Sequence, residues 1–532
     1  MKNIAHSLHN QKTPPPFMEW LPKNSQIIRV LSSYRSLFVL LAGVLLVFSL
    51  APYRLYYLAP FSLIVPVLCA QHKPQRAFLY GYLWGIAAYA TCFSWIYYSL
   101  WVIAHLSWWI TFCIMAMIML YLACYPAIAL WMTCRITKKP YWRWLITFPS
   151  MWTISEYLRG KIFTGFSWGE IGLTQIADSP LASLAPILGI HGVTFALALI
   201  IGGCCLIFLS SSLKTIGWLT SGLFLLGLQM HSMKSWHWTT PVGKPVKIAL
   251  AQGNIPQQLK WDPQIFYYTL NWYYQQISHT QADIMILPES VMPTVYENLP
   301  LGYLDNLKKI AQFRHMALAL GILRNAKEGH SYLNTVMSLN DQHYYTKRHL
   351  VPFGEYNPLA ITQSLYQSIK KTMAETIPGK SQQPPLTLAK QRIAFNICYE
   401  DSFGDELIGT ASQATMLANV SNLAWFAPYS IALDQHLQLS QTRALENERP
   451  MLRATNTGKT AIIDPKGHIT AIAPSDKPYV LIGMSQGYTG LTPYMRYGDL
   501  PILIICGLML AIAWFFSSQH CLKIRQCYNQ LS

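Results

Sequence analysis

Three short stretches hold residue types able to act on an acyl group. "AFNICYED" (394–401) puts Cys398 behind an apolar run and ahead of two acidic residues, and Cys398 is the only cysteine between residues 206 and 505. "ILPES" (286–290) carries Glu289 at the end of another apolar run, and "YYTKRHLVPFGEY" (344–356) carries Lys347. Acyl chemistry needs a nucleophile, a base to take its proton and a donor for the oxyanion, brought together from separate strand ends. A free thiol has a pKa of about 8.5, so near neutral pH only a few per cent is thiolate, and a carboxylate and an ammonium nearby are the groups that activate it. Each residue alone also fits an ordinary structural role: a solvated charge for Glu289, a surface side chain for Lys347, a core filler for Cys398.

The elements that would position these residues read as two kinds of structure. From "VKIALAQGNI" (246–255), β-rich runs at 282–290, 317–323, 392–400 and 415–422 alternate with amphipathic candidates at 262–280, 303–316 and 433–448. That alternation predicts a layered α/β domain. "PGKSQQPPL" (378–386) reads as a Pro-rich loop.

The rest of the chain is too apolar for a soluble enzyme: of 532 residues 52% are hydrophobic and 12% charged. A spanning helix needs about 20 apolar residues. Candidate spans lie at 35–52, 55–71, 77–98, 107–134, 142–158, 182–210, 213–231 and 501–516. The net charge of +17 is concentrated here, since only Glu19, Glu156, Glu170 and Asp178 of the 23 acidic residues precede residue 241. With the basic N-terminus inside, the short inner loops carry Lys73, Arg76, Arg135, Lys138, Lys139, Arg143 and Lys214, and the outer ones only Arg54, Arg159 and Lys161. That bias predicts both termini in the cytoplasm and residues 232–498 outside. The basic excess sits among apolar segments, which argues for membrane topology and against nucleic-acid binding. The first apolar run starts late and lacks a small-residue cleavage pattern, so a removed signal peptide is not expected. The expected division is a basic N-terminus (1–34), a seven-helix membrane part (35–231), an outer catalytic domain (232–498), a last span (499–517) and a cytoplasmic tail (518–532).

Smaller features fill in this reading. The 11 cysteines show no CxxC and no metal-ligand spacing, so neither a disulfide framework nor a zinc site is expected. "GYLWG" (81–85) fits a small-xxx-small helix contact, though chance produces such a match as easily. Glu156, costly in lipid, is expected to pair with Arg159 or to sit at the interface. His349 and His436 read as hydrogen-bonded structural histidines.

Taken together, the words "AQGNIPQQLKWD" (251–262), "LPES", "KRHLVPFGEY" (347–356), "ICYED" and "RALENERPMLRATNTG" (443–458) resemble the nitrilase-like carbon–nitrogen hydrolase superfamily. With eight spans and "EYLRGKIFTGFSWGEIGLTQ" (156–175), the chain is most similar to the superfamily's membrane-embedded branch, which N-acylates apolipoproteins. The resemblance implies a polytopic helical membrane bundle carrying an αββα sandwich. It implies Glu289 as general base, Lys347 as oxyanion-stabilising cation and Cys398 as nucleophile, with Glu355, Tyr399 and Glu400 in support and Trp261 and Trp425 on mobile loops beside the pocket. The backbone N–H of Tyr399 is a second candidate oxyanion donor. The resemblance implies no cofactor. Its implied partners are a phospholipid giving its sn-1 chain, chiefly phosphatidylethanolamine, and a diacylglyceryl apolipoprotein accepting it, in a bacterial inner membrane with the catalytic domain periplasmic. One departure stands out: the family's Ser-Asn-Asp before the tryptophan is here "SNLAWF", with Leu423 in place of the acid. The competing reading is a membrane-anchored amidase that hydrolyses a small amide with the same three residues.

Overall fold

A computed structural model describes residues 34–326, 331–358, 375–426 and 430–529, the last twelve of these as backbone only. The basic N-terminus and the charges of the C-terminal tail therefore lie outside the described side chains.

Helices occupy all eight apolar stretches: α1 (Arg35–Val44, continued by Leu46–Ser49), α2 (Leu58–His72), α3 (Ala77–Cys92), α4 (Trp108–Ile136), α5 (Phe148–Arg159), α6 (Ala185–Leu209), α7 (Leu213–Met233) and, after the catalytic domain, the long helix from Leu500 to Asn529. Among the described residues, Trp108–Ile136, Pro180–Leu209 and Leu500–Ser517 are each long and apolar enough to cross a bilayer, and Pro74–Cys92 with Trp95–Ile103, bent by 55°, adds a fourth if counted as one span. The "GYLWG" glycines do make a helix contact. A Cβ on Gly81 would fall 2.5 Å from the Pro126 carbonyl oxygen, and one on Gly85 2.9 Å from Ala123 Cα, so α3 and α4 touch backbone to backbone.

Glu156 does not pair with Arg159. Its carboxylate accepts from Ile171 N–H (2.9 Å), Thr194 Oγ1 (2.9 Å) and Trp152 Nε1 (3.3 Å). Arg159 instead donates to the Phe166 and Trp168 carbonyls (2.9 and 2.7 Å). Both groups thereby hold the 160–176 loop, although Arg159 Nε and Nη2 stay buried without a hydrogen-bond partner.

The catalytic domain is two facing sheets. In the first, β1 (Thr239–Gln252), β2 (Ile284–Ile286) and β3 (Ala317–Asn325) run parallel, followed by β4 (Ser331–Ser338), β5 (Tyr344–Thr346) and the short β6 (Glu375–Thr376). In the second, β7 (Leu386–Leu388), β8 (Gln391–Ile397), β9 (Met416–Ser421), β10 (Met451–Thr455), β11 (Ala461–Ile463) and β12 (Ile469–Ile472) lie in chain order. β13 (Tyr479–Gly490) returns to close the first sheet against β1. The period-2 alternation decides the layers. Ile248, Leu250, Ile284 and Ile286 face Phe395, Ile397, Ala418 and Leu452 across the inter-sheet core. Ala249, Ala251, Met285 and Leu318 point outward under α8 (Pro263–His279) and α9 (Tyr303–Phe313). Ala394, Leu417 and Met451 lie under α10 (Gly404–Ala411) and α11 (Ser430–Asn447). The result is the expected αββα sandwich.

α11 departs from its amphipathic expectation. Every residue from Gln435 to Asn447 is buried, because the sheet covers one side and the membrane part the other. Gln438 accepts from Ala51 N–H (3.1 Å) and donates to the Leu173 and Ile176 carbonyls (2.9 and 3.1 Å), and Glu446 accepts from Ile190 N–H (3.0 Å).

Candidate active site

The three sequence-derived residues stand just beyond strand ends, Glu289 three residues past β2, Lys347 directly after β5 and Cys398 directly after β8. Glu289 and Lys347 are buried, and Cys398 is half-buried. The fold brings the acid and the amine together: Lys347 Nζ lies 3.7 Å from Glu289 Oε1 and 2.8 Å from Glu355 Oε2. Glu289 is held from two further sides. Asn334 Nδ2 on β4 donates to its Oε1 (2.8 Å) and the Asn422 N–H to its Oε2 (2.8 Å). Its backbone packs on Gly321, where an added Cβ would sit 2.4 Å from the Pro288 oxygen and 2.7 Å from Glu289 Cα. Glu355 accepts from Val351 N–H (2.7 Å), which folds the 347–356 segment back on its own lysine. The Pro-rich loop buttresses the same lysine: Gln383 pairs with both backbone groups of Thr346, and Gly379 N–H donates to the Lys347 carbonyl (2.8 Å).

Cys398 adopts φ +56°, a left-handed conformation uncommon for a residue with a Cβ. Such strain persists only where the surroundings enforce it. Here Glu400 enforces it from one side, accepting from the backbone N–H groups of Ile397 (2.6 Å), Arg348 (2.7 Å) and His349 (3.1 Å) and from Tyr345 Oη. One buried carboxylate thus ties the lysine loop to the nucleophile strand. Burial keeps this carboxyl above its ordinary pKa, although the three backbone donors favour the anion.

From the other side, His436 Nε2 meets the Cys398 carbonyl at 3.1 Å and Asn419 Nδ2 meets it at 3.3 Å. Arg453 donates to His436 Nδ1 (2.6 Å) and pairs with Asp401 (3.2 Å). The indole of Trp168, from the membrane part, stacks on the imidazole at 5.3 Å. His436 is therefore a hydrogen-bonded histidine as expected, but one that grips the nucleophile's backbone. His349 bonds Glu406 (3.0 Å) and stacks on Phe403.

The electrostatics differ from the simple picture of a lysine-activated thiolate. Burial pushes the Cys398 thiol well above its ordinary pKa, Glu289 adds to that, and Lys347 only partly offsets it. Burial also works against the Lys347 charge, but Glu355 and then Glu289 outweigh it and hold the ammonium firmly protonated. At rest the site is thus a thiol beside a carboxylate and a cation, an arrangement that needs the carboxylate as proton acceptor.

The supporting residues divide. Tyr399 Oη donates to the Gly165 carbonyl (3.1 Å), joining the residue after the nucleophile to the 160–176 loop. Trp425 is half-buried with its carbonyl bonded to Ser99 Oγ (2.8 Å), and Phe426 packs on Trp95 of the membrane part. Trp261 is 44% exposed on the loop after β1. Leu423 is fully buried. Sequence reasoning missed Asn334 and undervalued Asn422 and His436. A polar residue interrupting the apolar run "SYLNTVM" was the one available signal for Asn334. Among the described residues no group of three His, Cys, Asp or Glu side chains could hold a metal ion.

Comparison with known proteins bears on both halves of the chain. The apolipoprotein N-acyltransferase N-terminal domain matches residues 42–203, and the carbon–nitrogen hydrolase domain matches residues 247–494. An apolipoprotein N-acyltransferase of Chromobacterium violaceum is 48% identical over 90% of this chain and 94% of its own. One of Neisseria meningitidis serogroup B is 40% identical over 89% and 95%, and one of Nitrosomonas europaea 36% over 88% and 94%. Among solved structures, a carbon–nitrogen hydrolase of Helicobacter pylori G27 aligns over 45% of this chain and 89% of its own, 14% identical, with a TM-score of 0.36. Since the relatives match the membrane helices as well as the sandwich, and nearly from end to end, the chain belongs to the apolipoprotein N-acyltransferase family.

Proposed function

We propose that this chain moves an acyl chain from the sn-1 position of a membrane phospholipid, through a thioester on Cys398, to the N-terminal α-amine of a diacylglyceryl-cysteine apolipoprotein, the last step of lipoprotein maturation. The observation that carries the reading is the junction of Glu289, Lys347 and Cys398 at strand ends inside a family defined by that transfer. Glu289 takes the thiol proton as sulfur attacks the ester carbonyl. Lys347 and the backbone N–H of Tyr399 receive the oxyanion, and preorganised donors of this kind each contribute about 3 to 4 kcal/mol in comparable sites. Collapse expels the lysophospholipid, whose alkoxide takes the proton back from Glu289. The α-amine, with a pKa near 7.7 to 8.0, then attacks the thioester, Glu289 accepts its proton, and the thiol is regenerated, a ping-pong cycle.

Transfer is favoured over amide hydrolysis because the relatives match about 90% of the chain, helices of the N-terminal part included. Both substrates are lipids, and burying each methylene is worth about 0.8 kcal/mol. A site seated on a bundle at the bilayer surface avoids extracting them and limits water at the thioester. We read the eight helices as spans of a bacterial inner membrane, with both termini cytoplasmic, residues 232–498 periplasmic and phosphatidylethanolamine the chief donor. The test is intact-protein mass spectrometry of purified, membrane-reconstituted enzyme incubated with a phospholipid of defined chains, beside Cys398→Ala. A gain of one sn-1 acyl group, removed by hydroxylamine and absent in the control, is the expected result. No adduct on the folded protein would refute the phospholipid-donor mechanism and favour the amidase reading.

A further inference from the structure

The loop leaving β1 is sewn to the site. Asn254 N–H donates to the Asn456 carbonyl (2.8 Å) and Ile255 N–H to Asn456 Oδ1 (3.2 Å). Gln257 Oε1 accepts from Asn422 Nδ2 (2.9 Å), and Asn422 is the residue whose N–H holds Glu289. At the end of this loop Lys260 is turned inward, 5% exposed, between Leu259 and Trp261 at 43% and 44%. Among the described residues no hydrogen bond or ion pair holds its ammonium, which lies 5.9 Å from the centroid of the Trp261 ring. The charged and ionisable groups that act on it are those of the site, Glu289 and Cys398.

The other buried cations are held: Lys347 by Glu355, Arg443 by Glu446 and Arg453 by Asp401, while Arg143, Arg159 and Arg449 donate to uncharged oxygens. A charge this buried and without a partner has lost most of its hydration and gained no pairing in return. Burial accordingly draws the Lys260 pKa down to about 8, with Glu289 and Cys398 acting in the opposite direction. The oxyanion position is served by Lys347, which leaves Lys260 for an anion the substrate brings with it. We propose that Lys260 is the seat of the donor phospholipid's phosphodiester, holding the headgroup end while the sn-1 ester lies at Cys398. This inference rests on the transferase reading. A lysine meets phosphate as a point charge without a fixed fork, so the same seat accepts phosphodiesters bearing different headgroups.

The experiment compares full-length, membrane-reconstituted wild type, Lys260→Met and Lys260→Arg. Single-turnover acylation of Cys398 is followed by mass spectrometry with two palmitoyl donors, 1-palmitoyl-2-oleoyl phosphatidylethanolamine and p-nitrophenyl palmitate, which has no phosphate. The expected result is a loss in Lys260→Met that is about tenfold or more larger with the phospholipid than with the ester, on the scale of one charge-assisted hydrogen bond. Lys260→Arg should restore most of that difference, and the concentration of phospholipid needed for half-maximal rate should rise in Lys260→Met. Equal losses with both donors would place Lys260 at the reacting carbonyl and overturn the phosphate seat, as would no loss with either. Wild type that accepts palmitate from the ester and not from the phospholipid would instead refute the transferase reading itself.

Discussion

Replacing His436 separates two roles that this imidazole combines, gripping the nucleophile and staying neutral. Arg453 can only donate, so its 2.6 Å contact makes Nδ1 an acceptor and leaves the proton on Nε2, facing the Cys398 carbonyl at 3.1 Å. A second proton would face Arg453 directly, with Lys347 also near; burial first, and then these cations, hold the pKa well below 6.5. Glutamine can make the same two bonds without titrating, and leucine can make neither. A bond to a neutral carbonyl is worth about 0.5 to 1.5 kcal/mol and one to a charged guanidinium about 1.5 to 3 kcal/mol. His436→Leu should therefore lose about 2 to 4.5 kcal/mol, with the Cys398 carbonyl left to Asn419 alone. The sign of the pH effect follows from a depressed folded-state pKa. The contribution of neutral His436 is complete above about pH 6.5 and is lost as pH falls below that value, by about 1.4 kcal/mol for each tenfold rise in proton concentration. Thermal unfolding of the full-length protein from pH 7 to pH 5 should show a smaller acid loss in His436→Gln than in wild type. Cys398 acylation at pH 7 should be near wild type in His436→Gln and slowed in His436→Leu. Equal acid sensitivity of His436→Gln and wild type, together with an unshifted midpoint in His436→Leu, would refute the tautomer argument.

Two further outcomes follow from the geometry around Glu289. In Glu289→Gln, removing the negative charge that most raises the thiol pKa lowers it, so alkylation of Cys398 by iodoacetamide at about pH 8 should speed up. Acyl transfer should nevertheless fall by about 10²- to 10⁴-fold, the usual contribution of a general base. Gly321→Ala drives a methyl group into the Pro288 carbonyl and Glu289 Cα. It should cost about 1 to 3 kcal/mol in thermal unfolding and reduce the acylation rate, whereas alanine at Gly409, which meets nothing within 4 Å, should do neither.

Much of the sandwich is legible in the sequence because its strands are short apolar runs bounded by polar words, and β1, β3, β8 and β9 fall where those runs lie. The hairpin of β4 and β5 and the β11 to β13 return are not, since their half-polar sequences carry weak periodicity. Cys398, Glu289 and Lys347 are legible through the words around them. Their supports are not, because Asn334, Asn422 and Gln383 act across strand pairings that no local pattern encodes. α11 misleads for a related reason: its polar face holds Gln435, His436, Gln438 and Gln441, which would ordinarily mean water and here means a second protein surface. Glu156 does likewise, its partners lying 15 and 38 residues away on the 160–176 loop and α6.

The burial of α11 limits how this protein can be cut. A fragment starting at β1 would strip Gln435 of Trp168, Gln438 of Ala51, Leu173 and Ile176, Gln441 of Arg54 and Glu446 of Ile190 in one step. It would also take the indole from the imidazole that braces Cys398. The bundle is thus a scaffold wall of the enzyme as much as its mooring. Expression, crystallisation or inhibitor screening on an isolated sandwich would interrogate a nucleophile whose footing had been removed.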